Sequence, residues 1–140
     1  MPDATGPSLA AMSVAASAMR AQQSRMRVIA ENMANVDSVS KTAGGDPYRR
    51  QVPVFSPVTL PDGSQGVQMT SVAQDQTPFK TQFQPGHPSA DTKGYVKMPN
   101  VDPLIEALDM REAQRAYEAN LNVIETAKTM ANDTIALLNK

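Results

Sequence analysis

The sequence predicts a mainly α chain with a small β or irregular middle segment, its long N- and C-terminal helices paired as an antiparallel, coiled-coil-like hairpin that packs with neighbouring subunits. Two observations carry this reading. Both ends run for many residues without Pro or Gly, whereas most of the 11 prolines fall between them. Apolar residues also recur at heptad spacing along the N-terminal stretch, which is the period of helices packed side by side.

The first element covers Ser8 to Val36, rich in Ala, Met, Gln and Arg and therefore helix-favouring, with Ser8 as its N-cap. Met12, Met19, Met26 and Met33 recur every seven residues, and Leu9, Ala16, Gln23 and Ala30 occupy the complementary positions. That spacing forms a seam of about four heptads. From Asp37 to Asp102 the chain turns to Pro, Gly and polar residues, which excludes helix over most of it. Two alternating runs, Gln51 to Val58 and Val67 to Val72, flank Pro61-Asp62-Gly63-Ser64-Gln65-Gly66 and predict a β-hairpin, with Pro53 and Pro57 confining the first run to an edge. The remainder, including Pro85-Gly86-His87-Pro88, is expected to be irregular. Asp102-Pro103 then supplies an N-cap followed by proline at the first helical position, and helix is expected through to Lys140. Its apolar stripe comprises Leu104, Leu108, Tyr117, Leu121, Ile124, Ala127, Met130, Ala131, Ile135 and Leu138. The chain accordingly divides into an N-terminal helix (1–36), a Pro/Gly-rich middle (37–102) and a C-terminal helix (103–140).

Helices of this length reach about 45 to 55 Å. The middle segment is too small to cover them, so a two-helix hairpin leaves apolar surface exposed, and exposed surface of that extent marks an interface. A core stripe of an ordinary intramolecular bundle obeys the same physics, but little other sequence exists to build one.

Composition narrows the function. The 140 residues fit one domain, with 13 basic against 14 acidic residues and a net charge of −1. Nucleic-acid binding through a basic face has no support in so balanced a chain. Cys and Trp are absent while Met numbers 9, so packing relies on aliphatics, Ala and the adaptable Met side chain. Met1-Pro2-Asp3 does not read as a cleaved secretory signal, and no stretch predicts a membrane span or direct insertion.

Catalytic chemistry is sparse. His87 is the single histidine and reads as an exposed loop residue. Glu106, Asp109 and Glu112 share helical spacing, but Arg111 and Arg115 beside them suggest a solvated charged face instead of a cation site. Arg49-Arg50 beside Tyr48 reads as a loop making hydrogen bonds between subunits. No nucleotide-binding glycine motif is present. No metal, cofactor or small-molecule substrate is expected, and the chain does not read as an enzyme.

Three stretches, in order, resemble bacterial flagellar rod and hook axial proteins. Glu31-Asn32-Met33-Ala34-Asn35-Val36-Asp37-Ser38 is similar to the A-N-x-x-T signature closing the N-terminal helix of that family, with Ser38 where Thr is usual. Gly45-Asp46-Pro47-Tyr48-Arg49-Arg50 resembles a G-x-P-Y-R-R segment that marks one proximal rod branch. Gly94-Tyr95-Val96-Lys97-Met98-Pro99-Asn100-Val101, followed by Ala113-x-Arg115-Ala116-Tyr117-x-Ala119-Asn120, is similar to the family's G-Y-V-x-x-P-N-V and A-x-R-x-Y-x-x-N stretches. The resemblance implies a structural subunit of the periplasm-crossing rod that transmits motor torque to the hook, exported by the flagellar type III apparatus. Its partners would be other copies of itself, other rod proteins and that export apparatus. The residues expected at subunit interfaces are Leu9, Met12, Ala16, Met19, Met26, Ala30, Asn32, Met33 and Asn35 in the first helix. Tyr48, Arg49 and Arg50 follow in the loop, and Leu108, Arg115, Tyr117, Asn120, Leu121, Ile124, Met130, Ile135 and Leu138 in the second helix. Asn32, Asn35 and Asn120 are expected to fix register through side-chain hydrogen bonds. A small helical adaptor or export-chaperone-type binding module is the alternative, distinguished by being stably helical and dimeric on its own.

Overall fold

A computed structural model of the chain describes residues 6–139. The Met1-Pro2-Asp3 reading, the first residues of the 1–36 segment and the helix end at Lys140 lie outside the described residues. Helix α1 spans Pro7–Ala34 and helix α2 spans Pro103–Leu138. Between them lie β1 (Gln51–Thr59), β2 (Gln65–Gln74), β3 (Lys80–Phe83) and β4 (Tyr95–Met98). The strands form two separate two-stranded sheets, β1 with β2 and β3 with β4.

Ser8 does not cap α1. The carbonyl of Gly6 accepts from Leu9 N at 3.0 Å and Ala10 N at 3.2 Å, which places Pro7 at the first helical position. Proline lacks an N–H that this position leaves unbonded in any case, so the cap moves two residues towards the N-terminus, from Ser8 to Gly6. At the other end Asn35 Nδ2 donates to the Glu31 carbonyl at 2.8 Å, and Ser38 Oγ donates to Asn35 Oδ1 at 2.9 Å. These bonds turn the chain out of the helix two residues before the expected limit at Val36. Asp102 caps α2 as its sequence requires: Oδ1 accepts from Leu104 N at 3.0 Å and its carbonyl from Glu106 N at 3.0 Å.

The described chain forms two compact units. One comprises Met1–Met26, Val54–Ser71 and Arg111–Lys140. Within it the helices run antiparallel: Arg25 pairs with Glu112 at 3.5 Å, while Pro7, Ser8 and Ala11 line a groove with residues from Asn122 to Met130. The side chains buried on the helices are small, namely Ala15, Ser17, Ala21, Ala113 and Ala127. The hairpin turn carries Leu60 N to the Ser64 carbonyl at 2.8 Å, with Asp62 Oδ1 accepting from Ser64 N at 3.0 Å and Gly63 at φ 84°. Gly63 supplies the left-handed conformation that a side chain resists. Just beyond, the backbone approaches α1 closely. Ser17 Oγ accepts from Val67 N at 3.2 Å, and a Cβ at Gly66 would stand 2.5 Å from that same Oγ.

The second unit comprises Arg27–Pro53 and Val72–Met110. Here β3 and β4 pair antiparallel with Lys80 opposite Met98 and Phe83 opposite Tyr95. This sheet overturns the expectation of an irregular stretch after the first hairpin. Its sequence signal was masked because β3 is short, polar and exposed, while only β4 presents a buried residue, Val96. The connection holds Gly94 at φ 87°, where a Cβ would meet the Phe83 ring at 3.0 Å. Asp91 Oδ1 accepts from Lys93 N and Tyr95 N, both at 2.9 Å, which shapes the turn. The bond from Tyr95 N foremost holds the Asp91 carboxyl below its ordinary pKa. His87 lies in this connection as expected but is partly shielded, its Nδ1 accepting from Ser89 N at 3.0 Å. Val28, Ile29, Val96 and Val101 form the apolar core of the unit.

Candidate functional site

Two features stand out among the described residues: a buried polar cluster in the second unit and an exposed apolar face along α2, with Leu9 and Met33 exposed on α1. The cluster starts with Asn32, 1 % exposed on the last turns of α1. Its Oδ1 accepts from Gln51 N at 2.9 Å and from the Tyr48 hydroxyl at 2.7 Å, and its Nδ2 donates to the Gln51 carbonyl at 2.9 Å and to Glu106 Oε2 at 3.4 Å. One amide thereby docks the start of β1 as a neighbouring strand would, with all four of its bonding positions used. Burial, then the charges of Glu31 and Glu106, push the Tyr48 phenol above its usual pKa and keep it a donor.

Arg50 forms the centre. Nε donates to Glu106 Oε1 at 2.5 Å, Nη1 to Asp75 Oδ2 at 3.2 Å and Nη2 to Asp109 Oδ2 at 3.4 Å. Burial acts to lower the guanidinium pKa, but the bonds and charges of Glu106 and Asp75 outweigh it and hold it above the ordinary value. Asp75 is itself held low, first by the Thr77 hydroxyl at 2.5 Å and the Thr77 N–H at 2.9 Å. Asn100 joins the set, accepting from Arg50 N at 2.7 Å and donating to the carbonyls of Asp75 and Thr77 at 3.0 Å each. Arg49 Nη1 donates to the Asp75 carbonyl at 3.0 Å and its guanidinium lies 4.2 Å from the Phe79 ring centre. The polar groups here are committed to one another, so the arrangement suits holding four chain segments together.

The reading of Glu106 as part of a solvated charged face is corrected. It is 0 % exposed, whereas Glu112 is exposed and Asp109 half-buried. The missed signal was positional: Glu106 lies on the line of Ala113, Asn120 and Ala127 at seven-residue steps, the inward line of α2. Asp75 and Asn100 carried no such periodic signal.

The seam and stripe residues occupy distinct surfaces. On α1, Met12, Ala16, Met19 and Met26 are half-buried, while Leu9, Ala30 and Met33 are exposed; the buried positions are Ala15, Ser17, Ala21, Val28, Ile29 and Asn32. On α2, Tyr117, Asn120 and Ile124 are half-buried, but Leu108, Arg115, Leu121, Met130, Ile135 and Leu138 are exposed. Exposure reaches 69 % at Leu104 and 80 % at Leu138. Asn35 and Asn120 bond the backbone of their own helices, to Glu31 and Ala116 at 2.8 Å each. Beside these faces the first unit carries an apolar groove of about 370 Å³, lined by residues including Pro7, Ala11, Val123, Ala127 and Met130. Among the described residues, no three His, Asp or Glu side chains are grouped to hold a metal ion, and no helix is long and apolar enough to cross a membrane.

Residues 12–40 match the family model described as flagella basal body rod protein. Residues 92–137 match the one described as flagellar basal body rod FlgEFG protein C-terminal. Across almost the whole chain, relatives named flagellar basal-body rod protein FlgC align closely. The protein of Agrobacterium fabrum is 44 % identical, covering 94 % of this chain and 96 % of its own length. That of Borreliella burgdorferi is 41 % identical over 91 % and 95 %. The Salmonella typhimurium protein is 43 % identical over 89 % and 92 %. With the rod signatures built into the helix exit, the Arg50 cluster and the start of α2, the chain belongs to the family of flagellar basal-body rod proteins that includes FlgC.

Proposed function

We propose that the chain is a structural subunit of the flagellar basal-body rod, and that it assembles through its helices with copies of itself and with other rod proteins. The observation that carries this reading is the apolar surface left open along α2 from Leu104 to Leu138, with Leu9 and Met33 open near the two ends of α1, beside the groove at Ala11 and Val123. Surface of that kind in a chain of near-zero net charge calls for another apolar face. Different patches on the two helices favour head-to-tail contacts, which build an open helical tube in place of a closed dimer. Met and Ala along the seam tolerate partners of differing shape.

In this reading the segments 1–36 and 103–140 supply assembly surfaces and 37–102 the connecting body. Tyr48, Arg49 and Arg50 set the loop geometry next to the interface, and Arg115, Tyr117 and Asn120 border the seam of α2. The assembled tube crosses the periplasm, carries motor torque to the hook, and is built from chains exported through the flagellar type III apparatus. Its role is mechanical, with no catalytic step. The double variant Met19→Asp, Met26→Asp tests it. Cells carrying it should export the chain yet lack it in purified basal bodies, and should not swim. Normal motility with the variant present in basal bodies would defeat the proposal.

A further inference from the structure

Directly opposed residues of an antiparallel pair share one face of a sheet, and that face alternates along each strand. Val96 is 1 % exposed and so marks the inward face of the β3–β4 sheet. Phe83 and Tyr95, opposed one step away, stand on the outward face at the turn end. They are 64 % and 43 % exposed, and their rings meet edge to face with centroids 5.2 Å apart. Gly94 permits this, because a Cβ there would meet the Phe83 ring at 3.0 Å and Pro85 Cβ at 3.1 Å. The two rings form an aromatic knob held out into solvent.

At the other end of the same sheet, beside Lys80, lies a cavity of about 320 Å³. Three residues of strand, about 10 Å, separate Lys80 from Phe83. The apolar part of the cavity is Pro78, Val101 and Ile105, and Ile105 is 50 % exposed. A space at the small end of the range for ligand pockets receives one or two side chains and excludes a helix about 10 Å wide. Its charges are Asp75, Asp102 and Glu106 against Arg50 and Lys80, which leaves a negative excess. Beside the knob, Lys97 is paired with Asp46 at 3.2 Å, whereas Lys93 makes no ion pair among the described residues.

We propose that the Phe83–Tyr95 knob of one copy seats in the Ile105 cavity of a second copy, with Lys93 facing the acidic excess. Knob and cavity stand at opposite ends of one sheet, so a copy that gives its knob keeps its cavity free for the next. Such a contact is heterologous and repeats head to tail. Its area is small, so it is weak between isolated chains and gains strength where other contacts hold copies side by side. Its place in assembly rests on the rod-subunit reading; the fit of knob to cavity does not.

The test is photo-crosslinking of the full-length chain with Phe83 replaced by p-benzoylphenylalanine, irradiated in purified basal bodies. Linked dimers and higher multimers of the chain should form, with attachment sites in 75–80 or 101–106 of the second copy. Sites elsewhere, links to other proteins alone, or unlinked chain in basal bodies that contain the variant would overturn the inference. Ile105→Glu, a further carboxylate at the mouth of the cavity, should cut the linked fraction about tenfold, the scale of a lost interface anchor. An unchanged fraction counts against the contact; if Ile105→Glu keeps the chain out of basal bodies, the mapped sites decide alone. Should the benzophenone chain fail to enter where the parent enters, Lys93→Cys with Ile105→Cys decides in its place, since the chain has no cysteine of its own. Disulfide-linked multimers then support the contact and their absence overturns it. If the parent chain itself is missing from basal bodies, the rod reading fails, and the concentrated purified chain decides the contact by the same sites.

Discussion

Removing Arg50 should destabilise the protein more than removing Glu106, although they are two halves of one ion pair. The Glu106 side chain is 0 % exposed and its partners are Arg50 Nε at 2.5 Å and Asn32 Nδ2 at 3.4 Å. Arg50→Met therefore strands a buried carboxylate on one long amide bond, a loss of about 3–5 kcal/mol. Glu106→Ala leaves a different remnant. The guanidinium is 22 % exposed and keeps Asp75 at 3.2 Å and Asp109 at 3.4 Å, and Asn32 keeps the Gln51 carbonyl. The loss is then one charged hydrogen bond plus a little packing, about 1.5–3 kcal/mol. Replacing both with Met should cost less than Arg50→Met alone, because no charge is left uncompensated. Urea unfolding followed by circular dichroism and by tyrosine emission measures all three, and the absence of Trp keeps the Tyr48 signal visible. A Glu106→Ala loss equal to or above that of Arg50→Met, or strict additivity in the double variant, would refute the claim that the buried carboxylate dominates.

Two further outcomes follow from local geometry. Asp75 has its folded pKa depressed, foremost by the Thr77 hydroxyl. Its contribution is present above the ordinary value of about 3.9 and is lost as pH falls through the lower folded value, so Asp75→Asn should flatten the acid limb of stability. Urea midpoints taken stepwise from pH 5 downwards would show an unchanged slope if this assignment is wrong. Gly66→Ala should lower stability by about 1–3 kcal/mol, since its Cβ would press on Ser17 Oγ at 2.5 Å and Leu60 Cδ1 at 3.0 Å. A thermal midpoint equal to that of the parent chain would show that β2 does not approach α1 as closely as described.

The elements fixed by local chemistry were legible in the residues. Asp102-Pro103 announced the start of α2 because capping and a locked φ act within one turn. Pro61 to Gly66 announced its hairpin for the same reason. At Pro7 two local signals competed, and proline at the first helical position prevailed over serine as cap. The β3–β4 sheet was hidden because a short polar strand is defined by its partner, here across the connection from Phe83 to Tyr95.

By itself, then, the sequence determined two long helices, the hairpin between them, and a Met/Ala seam with too little other chain to cover it. Periodicity and propensity are local properties, readable one turn at a time. Only the tertiary structure decided that Glu106 is a buried partner of Arg50 instead of a solvated charge. That outcome depends on Asn32, Arg50, Asp75 and Asn100 converging from distant positions, and the energy of a buried charge is set by which groups surround it, not by its own neighbours in the chain.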